Sequence, residues 1–478
     1  MSWFVEHWIA SSLLVIYVSV LFHNAYVGNK AATGVGGYYV GNRQLGGTVV
    51  GISFFATFAS TNTFIGHAGK GYDYGVAWFT MAVLLVIFSW ISWRWIGPPL
   101  RRFAAAWDAL TIPDYIRGRI LSNNPDAERH PLLLLSASVI VFASILYLLA
   151  IFKGAGHLFQ IFLGVPYEVA LGVTLLVVVL YTSIGGFVSV IRTDAIQGVL
   201  MLIGAMTIFY FVTQAAGGVT SVAQLTDMPT KEHLFDLNGA VPFAVLLGVS
   251  LSGALKLIVD PRQLSRFYGL KSDAEVKRGM WIAVLGMALI LACMFPIGLY
   301  AHLILDNVTD TDLIVPRLVN DPAIFPFWVT DLLIVSIVSA AMSSMDSVLL
   351  VASSTLYKNI IAPFKAIENE VRWSRAAVIG FACVSAFMAL NPPGDIVSIT
   401  IFSGSLYAVC FFPPVVFGLY GRIASARTTL MSMILGMSTL ILWITLGLSS
   451  LLHEVFPALL MSASVYWFQS GKETTTKI

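Results

Sequence analysis

Charge is what this chain has least of. Only 11% of its 478 residues are charged, against roughly 25% in soluble globular domains, while 58% are hydrophobic. Too few polar residues remain to coat a water-facing surface. That excludes a soluble enzyme, a nucleic-acid-binding protein and a disordered scaffold. Cysteine is scarce too. Cys293, Cys383 and Cys410 each lie inside an apolar run, with no CxxC or Cys/His metal spacing, so a disulfide framework is excluded. All three read as small hydrophobes packed between helices. The N-terminus, Met1-Ser2-Trp3-Phe4-Val5-Glu6-His7, lacks the basic stretch of a cleavable signal peptide, so the first apolar segment reads as a retained span. The tail after Ser470 is eight residues, which disfavours a receptor signalling through an appended domain.

Apolar sequence, in contrast, is abundant. A span needs about 20 mostly apolar residues to cross roughly 30 Å of hydrocarbon. Thirteen segments meet that need: 7–27, 46–66, 75–97, 132–163, 167–185, 193–216, 240–265, 279–305, 325–357, 373–391, 395–420, 428–447 and 451–468. The fourth and ninth exceed one bilayer thickness and should tilt or project. With the N-terminus outside, 22 of the 27 Lys and Arg fall in inside segments, Arg262 and Arg266 among them. Lys70, Lys231 and Arg317 lie outside, and Lys153 and Lys256 lie within spans. This asymmetry predicts an N-out, C-in chain in the cell membrane. The outside loops carry acids, including Asp306, Asp310, Asp312 and Asp321, expected to form a solvated face. Helices satisfy their own backbone in lipid, so the expected fold is an all-α polytopic membrane protein.

Polar residues inside spans are expensive and mark functional sites. Four consecutive ones, Ser60 to Thr63, interrupt segment two. Each residue of a helix advances about 100°, so four in a row cannot share a face. Such a run suits a broken helix whose freed carbonyls line a site, or hydroxyls bonding back to the helix or across to neighbours. In segment nine, Ala340, Ser343, Ser344 and Ser347 share a face, with the carboxylate of Asp346 on a nearby one. A Gly185-Gly186 turn is expected to join segments five and six, with Asp194 opening the next helix, where its charge suits the helix N-terminus. Lys256 and Asp260 lie four apart near the end of segment seven. They form either an internal ion pair or, with Lys256 turned away, a contact for a substrate carboxylate. His157 reads as the only histidine deep in a span, packed and neutral. No His/Asp/Glu metal cluster or Ser/His/Asp set recurs in the spans, so the protein is not expected to be an enzyme.

At these residues the chain resembles the sodium:solute symporter family, whose members include proline, pantothenate, monocarboxylate, sialic acid and sugar symporters. The resemblance covers nearly the whole chain. It is carried by Tyr39-Val40-Gly41-Asn42-Arg43-Gln44-Leu45-Gly46-Gly47, the segment-two run, Gly66 to Trp78, Tyr181-Thr182-Ser183-Ile184-Gly185-Gly186-Phe187, Thr193-Asp194-Ala195-Ile196-Gln197-Gly198 and the Ser343-Ser344 stretch. It implies a LeuT-type fold of two inverted five-helix repeats: a first peripheral helix and inside loop at 1–45, repeats at 46–216 and 217–420, and two peripheral helices with a tail at 421–478. By motif match it implies a sodium ion held by the carbonyls of Ala56, Ala59 and Ala340 and the hydroxyls of Ser343 and Ser344. A second site, found in some members, maps to Ser343, Asp346, Ser347 and Asp194. Asp346 stands there in place of the common Ser or Thr, leaving a sodium, a proton or a structural hydrogen bond open. Substrate contacts carry over to Ser60 and Thr63, with Trp78 and Lys256 as further candidates.

The expected function is therefore Na⁺-coupled symport of a small organic anion by alternating access. Its partners would be that solute, Na⁺ and the lipid bilayer, with Na⁺ as coupling ion and no other cofactor. The pantothenate-like and monocarboxylate-like branches fit best. The alternatives are a proline or other amino-acid symporter and a transporter-like nutrient sensor.

Overall fold

A computed structural model of the chain describes residues 7–31, 34–365 and 368–472. The readings of the extreme N-terminus and of the tail beyond Lys472 fall outside the described residues. Among the described residues the fold is all-α save for one two-residue antiparallel pairing of Arg422–Ile423 with Gly471–Lys472 and an isolated bridge between Leu45 and Leu270. The long helices follow the apolar segments: α1 Trp8–Ala31, α2 Gly47–Phe58, α3 His67–Tyr74, α4 Phe79–Ile91, α5 Pro131–Leu163, α6 Tyr167–Ala215, α7 Phe243–Val259 and α8 Pro261–Gly269. Then come α9 Asp273–Met294, α10 Phe327–Thr355, α11 Glu370–Met388, α12 Ile396–Phe412, α13 Ala426–Thr445 and α14 Val455–Phe468, with shorter helices between them. Ten helical stretches among the described residues are long and apolar enough to cross a bilayer, and α2 and α14 are shorter apolar helices.

Burial sorts these helices into layers. The most apolar window of α10 is 100% buried, against 28% for α1 and 33% for α13. So α10 is the central post, with α6, α5, α2 and α1 packed on it, while α1 and α13 turn apolar side chains outward. A helix apolar on all sides is stable only with protein or lipid around it. Side chains such as Phe387, Leu451 and Phe468 stand exposed, as a lipid-facing surface requires. Cys293 and Cys410 are buried as expected, but Cys383 is on this exposed surface of α11.

One expectation in this region is met and two are corrected. The Gly185-Gly186 turn expected between segments five and six falls at Gly186, the one residue of α6 with non-helical angles, φ 64° and ψ −170°. That conformation is essentially restricted to glycine, and it alone kinks the chain there. Asp194 therefore sits well inside the second half of α6 and does not open a helix. Segment seven, read as one span, is two helices, α7 and α8, separated by extended Asp260.

Glycines also bring backbones together. A Cβ on Gly47 would lie 2.0 Å from the Glu275 carbonyl oxygen, and one on Gly51 would lie 2.6 Å from that of Gly279. Gly47-x-x-x-Gly51 is the small-residue spacing that lets membrane helices touch, here α2 against α9. Overpacking costs about 1–3 kcal/mol or more, so Gly51→Leu is expected to lower the melting temperature in detergent and the yield of monodisperse protein. An unchanged melting curve would show that the α2–α9 contact is not close.

Candidate functional site

The site begins where α2 stops. Ala59 has ψ 90°, outside helical values, and the chain re-enters helix only after Ser60, whose carbonyl accepts from the amides of Thr63 and Phe64 at 2.9 and 3.1 Å. A π-helical turn, Asn62–Gly66, then leads into α3. The last four carbonyls of a helix lack intrahelical partners, so the end of α2 presents acceptors sideways. One of them, Thr57 O, accepts from Ser344 Oγ of α10 at 2.9 Å. Ala56, Ala59, Ala340, Ser343 and Ser344 are all fully buried. The structure thus brings α10's small-residue face against the broken end of α2.

Beside this contact lies a cage of oxygens. Asp194 accepts from Ser343 Oγ on one carboxylate oxygen at 2.5 Å, and on the other from Ser53 Oγ at 2.5 Å and Thr57 Oγ1 at 3.2 Å. Ser347 Oγ lies 3.2 Å from Thr57 Oγ1. Into the same cage comes Arg266 of α8, 3.0 Å from the Asp194 carboxylate. Asp346 is not part of it. One of its oxygens accepts from Tyr181 OH and Thr182 Oγ1 of α6, at 2.5 and 2.6 Å, and the other is buried without a hydrogen-bond partner. Of the residues drawn together for a second cation, Asp194 and Ser347 share one network and Asp346 belongs to another.

The second break, at Asp260-Pro261, escaped the sequence reading, although an N-cap acid followed by proline at the first helical position is a helix-start signal. Asp260 accepts from the Arg262 amide at 2.9 Å, capping α8, and pairs with the Arg262 guanidinium at 2.5 Å. The expected Lys256–Asp260 ion pair is therefore replaced by Asp260–Arg262. Lys256, 4% exposed, donates to the Thr400 carbonyl at 3.0 Å and lies 4.7 Å over the Tyr147 ring. It makes no ion pair among the described residues. Arg262 also lies over the Tyr147 ring, at 3.7 Å, and Tyr147 OH donates to Ser60 Oγ at 3.3 Å. One tyrosine of α5 thus joins the two breaks. Arg262 and Arg266, counted as inside-loop charges, are instead buried within the fold.

Around the first break several buried polar atoms have no hydrogen-bond partner: Thr61 Oγ1, Asn62 Oδ1, Thr63 Oγ1, both ring nitrogens of His67 and Trp78 Nε1. Leaving one such group unsatisfied costs about 1–3 kcal/mol, so a run of them suits a surface that meets a polar ligand. His67 stacks on Phe295 at 4.5 Å and lies 5.8 Å from Trp78. His67 is thus a histidine deep in the helical core, missed because segment two was expected to end at Gly66, whereas His157, expected to be the deep one, is partly exposed. On the expected outer side, Asp312 is also buried and not part of a solvated face: it pairs with Lys153 at 2.7 Å and accepts from the Ile396 amide at 3.4 Å.

Two interrupted helices meeting beside a buried central helix, in an all-α membrane fold, are the arrangement that secondary transporters with paired broken helices use. The chain belongs to the sodium:solute symporter family, whose model matches residues 38–436. It is 29% identical over 457 residues to a sodium/pantothenate symporter of Haemophilus influenzae, covering 93% of each chain. It is 28% identical over 464 residues to an osmoregulated proline transporter of Bacillus subtilis, covering 94% of this chain and 92% of that one. Its fold superposes with a TM-score of 0.81 on a substrate-bound, outward-open Na⁺-coupled sialic acid symporter at 18% identity, covering 98% and 99% of the two chains. The protein is a multi-pass, sodium-coupled secondary transporter working by alternating access; membership in this transporter family bears out the expectation that it is not an enzyme.

Proposed function

We propose that this protein imports a small organic anion, pantothenate-like or monocarboxylate-like, together with sodium. The observation that carries the anion is Lys256, a buried cation whose nearest acid along the chain, Asp260, is committed to Arg262. A buried charge is costly without a counter-ion, and a substrate carboxylate supplies one. Ser60, Thr63 and Trp78 would complete the substrate contacts around the first break. The sodium/pantothenate relatives support an anionic substrate. Proline, the substrate named for other relatives, could also satisfy Lys256, but its ammonium needs an acceptor and Asp260 is occupied.

The sodium ion would be held by the carbonyls of Ala56, Ala59 and Ala340 and the hydroxyls of Ser343 and Ser344. The Ser344–Thr57 hydrogen bond supports this reading, because it draws α10 onto the end of α2. Sodium there would link the two helices, stabilise the outward-open state and raise substrate affinity. Coupling of about 1–3 kcal/mol is typical of such linkage. The topology drawn from the sequence, thirteen spans from an outside N-terminus with inverted repeats at 46–216 and 217–420, gains support from the breaks. Each falls in the first helix of its repeat, as the paired interruptions of inverted-repeat transporters do.

Uptake into proteoliposomes under an imposed inward Na⁺ gradient tests this, with pantothenate, pyruvate, lactate, acetate and proline as candidate solutes. The expected result is Na⁺-dependent accumulation of one of the anions. Accumulation of proline alone would replace the anion reading. Saturable binding without flux would instead make the protein a sensor.

A further inference from the structure

Arg266 is the one charged side chain inside the oxygen cage beyond Asp194. Its Nη2 lies 3.0 Å from the Asp194 carboxylate, 2.5 Å from Thr57 Oγ1 and 2.5 Å from Ser347 Oγ. Its Nε lies 3.3 Å from Ser53 Oγ, and its Nη1 donates to the Arg262 carbonyl at 3.0 Å. The residue is 1% exposed. One nitrogen is thus surrounded by a carboxylate and two hydroxyls, drawn from α6, α2 and α10. These are the oxygen ligands a hard cation takes.

A guanidinium keeps its charge under all ordinary conditions. It is also covalently fixed to α8, so its charge stays with the protein while solutes cross. With Arg266 in place, the negative charge of Asp194 is already balanced. A sodium ion entering the same cage would meet a like charge at contact distance with no carboxylate left to offset it, and in a protein interior that repulsion is far stronger than in water. The neighbouring sodium site keeps its own ligands, because Ser344 and the freed carbonyls of α2 do not touch Arg266. Only Ser343 borders both.

We infer that Arg266 is the fixed second cation of this transporter: it fills the cage formed by Asp194, Thr57 and Ser347, and a single sodium accompanies each substrate. The inference rests on the sodium-coupled reading above and adds the stoichiometry to it. It also assigns Arg266 a role that a purely structural ion pair would not have, because removing the guanidinium should create a sodium site and not merely loosen the fold.

The test is equilibrium binding of radioactive sodium, with no other ligand, to the purified full-length protein in detergent. Wild type is expected to bind one sodium per chain, with a Hill coefficient near one. Arg266→Met leaves the Asp194 carboxylate without its cation and is expected to bind two. Arg266→Lys keeps a fixed charge and is expected to bind one. Two sodium ions per wild-type chain would overturn the inference and leave the transport reading intact, whereas none would overturn both. One sodium per chain in a folded Arg266→Met protein would reduce Arg266 to a structural partner of Asp194. If Arg266→Met fails to fold, the wild-type and Arg266→Lys counts decide alone, since either binding two would refute a resident cation.

Discussion

Replacing Ser343 and Ser344 together by alanine is expected to abolish sodium stimulation of uptake over the usable concentration range. Both hydroxyls are fully buried and on the same face of α10. Ser344 reaches the end of α2 through Thr57 O, and Ser343 donates to Asp194. An oxygen that serves a charged partner is worth about 1.5–3 kcal/mol. Losing two such oxygens should raise the half-saturating sodium concentration roughly a hundredfold or more, at about 1.4 kcal/mol per tenfold. The measurement is initial uptake against sodium concentration. Ser344→Thr, which keeps a hydroxyl, is expected to stay near wild type. An unchanged sodium dependence in the double variant would remove the proposed ion from this position.

The second large effect belongs to Lys256. Lys256→Gln keeps most of the side chain's length and a donor for the Thr400 carbonyl, but not the charge. Truncating one partner of a buried, hydrogen-bonded charge pair costs about 2–5 kcal/mol. Half-saturation by an anionic solute should therefore rise roughly thirtyfold or more, while uptake stays sodium-driven. Lys256→Arg should recover part of the loss, because it restores charge with a different reach. Intact affinity in Lys256→Gln would leave the lysine as a support for α12 through Thr400 and would withdraw the anion from the proposal.

How far the sequence could be read depended on whether the signal was local. The break in α2 was legible because four adjacent polar residues cannot lie on one helical face. The break before α8 carried an equally local signal in Asp260-Pro261. It was passed over because Asp260 was weighed as a partner for Lys256, at helical spacing, and not as a cap. Arg262 and Arg266 were counted as loop charges for a related reason: nine residues with two arginines read as solvated unless their partners are known. Those partners are Asp260, two residues away, and Asp194, which lies 72 residues earlier in the chain. His67 and Tyr147 were hidden likewise, since a histidine beyond a glycine and a tyrosine in an apolar run give no sign of facing a break.

The sequence by itself determined that the chain is a helical membrane protein, roughly where each helix runs, and which family's motifs it carries. Hydropathy and local polarity are properties of neighbouring residues, and they add along the chain. Tertiary structure alone decided which buried charges neutralise each other. Arg262 takes Asp260, Arg266 takes Asp194, and Lys256 makes no ion pair among the described residues, donating instead to the Thr400 carbonyl. In a low-dielectric interior such pairings outweigh sequence proximity, because a long side chain reaches whichever oppositely charged group the packing of α2, α6, α8 and α10 sets beside it.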